Sequence, residues 1–224
     1  MKINVVLNYL YDMVVLITML YSFYLLFWKK YGKKQRHFYL YIVFIFIVDV
    51  LRNYIEYFRY EINQFYFYFP LFFVTICYFA YFFIQEYKDV LNRILLIFTS
   101  LLSIFFVVFF QYKVNDLTIS TSTLLVLIVY QLFIVLQWFW YIINHTDEQK
   151  ITDKQAFWVS CALLIWSTFA LFRMYPMYDL NKIDNNFLSS IIYFFSVINI
   201  VTYLLYLRGL KCVNHNVLRS FNHF

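Results

Sequence analysis

Four ionisable residues, Asp12, Asp49, Arg52 and Glu56, interrupt long apolar runs, and a fifth, Arg173, ends one. A charge at membrane depth costs about 2.5–3.5 kcal/mol on insertion scales, so each needs a counter-charge or water. Asp49 to Arg52 is an i,i+3 step and Arg52 to Glu56 an i,i+4 step, which puts the three on one helix face. Three acids and two bases suit two kinds of chemistry. One is an ion-pair network that closes a helix bundle; the other is an outward-facing polar pocket that takes a solute. The network is the better reading of the spacing, and the pocket is the sharper alternative.

A second cluster is the stretch FWKKYGKKQRHFY, residues 27–39, with Lys29, Lys30, Lys33, Lys34 and Arg36 within eight positions of a chain only 13% charged. Such a loop serves first as a topology anchor, with Trp28 at the membrane interface. It also attracts anionic lipid head groups or an acidic partner. Direct nucleic-acid binding is the minority reading, because short basic loops beside membrane spans are expected anyway.

Other chemistry is missing. Two glycines, Gly32 and Gly209, cannot build a phosphate-binding glycine loop or a nucleophile elbow. The histidines, at positions 37, 145, 215 and 223, all fall outside the apolar runs. Cys212 and His215 have the spacing of half a metal site, with only His223 nearby to extend it, so no metal or other cofactor is expected. Three cysteines provide no disulfide framework, and reduced thiols are the default. An enzyme is not expected.

The elements that position these residues follow from composition. Hydrophobic residues make up 64% of 224 positions, well above the roughly 45–50% of soluble domains. The 29 Phe and 23 Tyr belong with Ile, Asn and Lys to the residues with A/T-rich codons, so base composition accounts for them before any stacking on nucleic acid does. Apolar runs near residues 4–28, 38–58, 65–84, 94–111, 117–143, 156–172 and 187–207 are long enough to cross about 30 Å of hydrocarbon as helices. The fourth and sixth read as the shortest. Their continuity lacks the alternation of membrane strands. The first is too long for a signal-peptide core, and no small-residue cleavage pattern follows it. The expected fold is all-α: a polytopic bundle of about seven transmembrane helices over residues 1–210, with no soluble domain. A basic tail, 211–224, follows. In it Val213, Val217, Phe221 and Phe224 keep helical spacing, which suits an interfacial amphipathic helix.

Orientation follows from the basic residues in the connections. One side carries the five of the 28–37 loop, then Lys88, Arg93, Lys150, Lys154, Arg208, Lys211 and Arg219. The other has Lys2, Arg52, Arg59, Lys113, Arg173 and Lys182. The richer side is expected to be cytoplasmic, which places the amino terminus outside and the carboxyl terminus inside a bacterial inner membrane. Deeper amides, Gln131, Gln137 and Asn199, are expected to bond neighbouring helices. No Gly-x-x-x-Gly is present, so that route to close helix contact is absent.

The segment FWVSCALLIWSTFALF, residues 157–172, has an aromatic pair, small polar residues, an apolar run and a second aromatic. Through Phe157, Trp158, Ser160, Ala162, Trp166 and Thr168 it resembles a recurring segment of uncharacterised seven-span integral membrane proteins of Bacteroidota. LYLRGLK, residues 205–211, and an acid late in the second span, Asp49, are similar to that family too. Phe169 departs from it, standing where the family usually has Gly, and its charged and His positions in the third, fifth and seventh spans are absent here. The family implies a seven-span layout and no activity. In size, span number, A/T-rich composition and basic inner face the chain also resembles the multi-span accessory membrane proteins of type VI CRISPR systems. That likeness implies a regulator of an RNA-guided defence effector.

The function expected from these readings is a non-catalytic membrane accessory or regulatory protein whose basic cytoplasmic face engages a soluble protein. The alternatives are a seven-helix sensor with the outward polar pocket, or a small channel or carrier. A carrier would have internal repeats and Gly/Pro-broken helices, and four Gly and Pro residues in total do not provide them. Homo-oligomerisation stays open.

Overall fold

In a computed structural model the described backbone covers residues 2–57, 65–113, 120–145, 149–179 and 185–221. Its elements are α1 (Lys2–Phe27), α2 (Phe38–Tyr57), α3 (Phe65–Ile84), α4 (Val90–Lys113), α5 (Thr121–Asn144), a 3-10 turn (Ile151–Asp153), α6 (Gln155–Asp179) and α7 (Asn185–Phe221). No strand occurs among the described residues. Helix is what hydrocarbon demands of these runs, because the backbone hydrogen bonds must close within each segment.

Five of the described helices are long and apolar enough to cross a membrane, over Tyr9–Phe27, Val90–Lys113, Thr121–Asn144, Gln155–Met174 and Ser190–Val213. Phe38–Leu51 and Tyr68–Ile84 are shorter apolar helices. The runs read as shortest were the fourth and sixth, yet α4 and α6 have 24 and 25 residues. Polar ends such as Asn92–Arg93 and Arg173 continue the helix beyond the apolar run, because a helix can run on into water while hydrophobicity ends at the lipid. The boundary drawn at residue 210 falls inside α7. That helix runs unbroken for 37 residues, about 55 Å at 1.5 Å per residue, and so exceeds the hydrocarbon thickness. The tail's side chains after Val213 lie outside the described residues.

The helices group into two compact units, Met1–Tyr39 with Thr146–Phe224 and Leu40–His145. In the first, α7 packs against both α6 and α1. Gly209 makes close approach possible at one point: a Cβ there would stand 3.4 Å from the Gln155 carbonyl oxygen and from Trp158 Cβ. A single glycine thus allows close helix contact without a Gly-x-x-x-Gly. Trp166 Nε1 donates to Asn199 Oδ1 at 3.0 Å, a second link between α6 and α7. In the second unit α3, α4 and α5 pack on one another, and Tyr41 of α2 stacks on Tyr78 of α3 with ring centroids 4.8 Å apart. The apolar window of α5 is 56% buried against 22% for α4, so α5 is the enclosed helix and α4 offers Phe98, Leu101 and Phe105 outward. Tyr130 of α5 joins all three helices: its hydroxyl donates to the Ile76 carbonyl at 3.0 Å and lies 3.1 Å from Ser100 Oγ.

Four hydroxyls inside the spans are satisfied by their own helices. Thr18, Ser100, Thr168 and Thr202 each donate to the carbonyl four residues back. Ser120 caps α5, its Oγ accepting the Thr123 N–H at 3.0 Å.

Candidate functional site

The basic loop after α1 is a folded object. Trp28 N–H still donates to the Tyr24 carbonyl at 3.0 Å, and Tyr31 N–H then reaches back to the Leu25 carbonyl at 2.9 Å. Lys30 between them has φ +53°, and Arg36 and His37 have φ +56° and +53°. A non-glycine residue enters this left-handed region at a cost of order 1 kcal/mol, so surrounding contacts must hold it there. Gln35 supplies them. It is fully buried. Ser22 Oγ donates to its Oε1 at 2.6 Å, and its Nε2 donates to the Ser22 carbonyl at 3.1 Å. Gly32 is buried too, and a Cβ there would meet Leu26 Cδ1 at 3.0 Å. The chain is therefore folded down onto the end of α1.

The lysines remain outside this lock. Lys30, Lys33 and Lys34 are exposed and Lys29 is half-buried. The Lys34 ammonium lies 4.8 Å from the Tyr31 ring centroid, a cation–π contact. Phe27 and Trp28, beside them, are 67% and 78% exposed, the exposure of side chains that a bilayer interface would cover. No acid occurs from Phe27 to Tyr39.

The five charges at the apolar runs are placed less completely. Asp12 on α1 and Arg173 on α6 belong to the first unit; Asp49, Arg52 and Glu56 on α2 belong to the second. Asp12, Asp49 and Arg173 are half-buried. The Arg173 guanidinium sits 4.6 Å from the Phe195 ring centroid, so an aromatic face of α7 shares in solvating it. The side chains of Arg52 and Glu56 lie outside the described residues.

A polar clamp that the sequence reading did not single out joins the end of α5 to the 85–93 connection. Gln137, Trp138, Tyr141 and His145 recur at helical spacing, and each takes a partner there. Gln137 Nε2 donates to the Asn92 carbonyl at 2.9 Å and Trp138 Nε1 to Glu86 Oε2 at 3.4 Å. The Lys88 N–H donates to the Tyr141 hydroxyl at 3.0 Å, while His145 Nε2 stands 3.0 Å from Asp89 Oδ2. Arg93 Nε closes the turn by donating to the Tyr87 carbonyl at 2.7 Å. The signal was present as a row of polar and aromatic residues ending an apolar helix, but spacing alone does not say which loop they meet. Gln137, through the Asn92 carbonyl in the first turn of α4, and the half-buried Asn199, through Trp166 of α6, do bond neighbouring helices, as expected.

Tyr87 lies at the centre of this clamp, fully buried and edge-on to Tyr141 at 4.9 Å. Its hydroxyl has no hydrogen-bond partner among the described residues. Burial first, then the neighbouring Tyr130 and Tyr141, pushes its phenol above the usual tyrosine value of 10.0. A phenol whose folded-state value is raised contributes its stability below the unfolded value and loses it as pH rises further. Tyr87→Phe should therefore be neutral or stabilising by about 1 kcal/mol at neutral pH, and should reduce the loss of stability above pH ~10. Thermal unfolding in detergent at pH 7 and pH 11 checks both.

Among the described residues no group of three or more His, Cys, Asp and Glu could hold a metal ion. Cys212 is buried, its Sγ donating to the Thr152 carbonyl at 3.6 Å, and the side chain of His215 lies outside the described residues. No family model, curated protein or solved structure matches this chain.

Proposed function

We propose that this is a non-catalytic accessory protein of a bacterial inner membrane whose basic cytoplasmic face engages a soluble protein. The observation that carries the reading is the 28–37 loop, where exposed lysines ride on a turn held by Ser22 and Gln35. In this reading α2 and α3 also cross, since 20 residues of helix span about 30 Å. Seven crossings place the amino terminus outside and the carboxyl terminus in the cytoplasm. The basic 28–37, 85–93 and 144–155 connections and the tail then share one side.

The likeness in size, span number and basic face to the accessory proteins of type VI CRISPR systems makes an RNA-guided effector the first partner to try. The test has two parts. Reporter fusions at the two termini should place only the carboxyl terminus in the cytoplasm. Changing Lys29, Lys30, Lys33, Lys34 and Arg36 together to Gln should then reduce co-purification of the partner about tenfold or more, and more so at low salt. Unchanged co-purification with orientation preserved would remove the docking role of this loop.

A further inference from the structure

Where the lysines sit relative to the end of the first span narrows what they meet. The apolar window of α1 ends at Phe27, and Lys29 follows two residues later. An extended ten-residue connection could carry its charges well into the cytoplasm. This one does not, because the Tyr31-to-Leu25 backbone bond, the Gln35–Ser22 pair and the buried Gly32 fold it back onto α1. Ser22 lies more than one helical turn inside the span's own window, so Gln35 reaches below the level at which the span ends. Lys30, Lys33 and Lys34 are exposed on this turn, a few residues after exposed Phe27 and Trp28, and a span that ends at Phe27 would put them at the level of lipid phosphates.

We infer that the 28–37 loop is a preorganised binding site for the phosphate of an anionic phospholipid, formed by Lys30, Lys33 and Lys34 and held in shape by the Gln35–Ser22 lock. This deepens the reading of the loop given above by naming its resident ligand. Charge complementarity supports it, since no acid lies within the stretch. Geometry puts lipid within reach of these lysines, because the loop is folded back onto the end of α1 rather than held out from it. The lock matters because it removes ordering cost: a flexible basic loop would attract anionic lipid as a cloud, whereas a fixed turn presents its charges together.

The test uses the full chain in nanodiscs of phosphatidylcholine with phosphatidylglycerol, counting retained lipids by native mass spectrometry. Wild type should retain phosphatidylglycerol over phosphatidylcholine. Lys30→Gln with Lys33→Gln and Lys34→Gln should reduce that preference about tenfold or more. Gln35→Ala keeps every charge and should reduce it about threefold, with helix content unchanged by circular dichroism. If Gln35→Ala does not fold, Ser22→Ala tests the same lock from the other side. Equal retention of the two lipids by wild type, or full retention by the triple variant, would overturn the inference. So would displacement by free inorganic phosphate at the lipid's own concentration, which would make the site one for a soluble anion. Failure here while partner capture still depends on the same lysines would leave the docking proposal standing.

Discussion

Gly209→Leu should separate α6 from α7 and markedly lower the thermal stability of the purified protein. A Cβ at this position already meets the Gln155 carbonyl oxygen and Trp158 Cβ at 3.4 Å. The first of these is backbone at the start of α6 and cannot yield without moving the helix. Three further carbons would cost about 1–3 kcal/mol by overpacking. They would also loosen what the contact brings together: Arg208 over the Trp158 ring at 5.5 Å, and the bonds from Trp158 Nε1 and Cys212 Sγ to the Thr152 carbonyl. Gly209→Ala separates crowding from any other consequence of losing glycine. Its single methyl fits at ordinary contact distance and gains helix propensity of about 1 kcal/mol, so it should be neutral or stabilising by up to that amount. Thermal unfolding followed by size-exclusion chromatography in detergent reads both variants. A leucine variant with the wild-type midpoint would show that α7 does not rest on α6 here.

Trp138→Ala should be costlier still, at about 3–5 kcal/mol. The side chain is fully buried in the second unit, with Phe139 at 5.1 Å and Phe83 at 6.4 Å between ring centroids. Its Nε1 also donates to Glu86, so truncation leaves a void and removes a donor from a carboxylate of the 85–93 connection. Trp138→Phe retains most of the volume and loses the donor, and should cost roughly 1 kcal/mol. Limited proteolysis in detergent should show cleavage between residues 85 and 89 rising in the alanine variant well before the helices are cut. If the two substitutions prove equally damaging, the hydrogen bond and not the packing dominates at this site.

The helices were legible from the residues because hydrocarbon enforces one rule over the whole chain. Runs such as 38–58 and 65–84 correspond to α2 and α3 within a residue, since a long apolar run with almost no Gly or Pro closes its own backbone bonds as helix. The ends were less legible where charge and helix part company. Arg173 looked like the close of a span, yet α6 continues to Asp179; the tail from residue 211 looked like a separate piece, yet it prolongs α7. Hydropathy reports where the lipid stops, while a helix stops where a cap or a breaking residue ends it.

The sites divide in the same way. A cluster of five cations in eight positions is a property of the sequence, as are the i,i+3 and i,i+4 relations among Asp49, Arg52 and Glu56. Residue types and local spacing determined by themselves that the chain is apolar, helical and basic in its connections, because those depend on near neighbours and on the solvent. Tertiary structure decided that Gln35 folds the basic loop back onto Ser22, that Gly209 lets α7 rest on α6, and that the end of α5 holds the 85–93 turn through Gln137, Trp138, Tyr141 and His145. Each of those joins residues that hydropathy treats as ordinary, and most lie far apart along the chain. Their meaning comes from which polar atoms meet once the helices have packed.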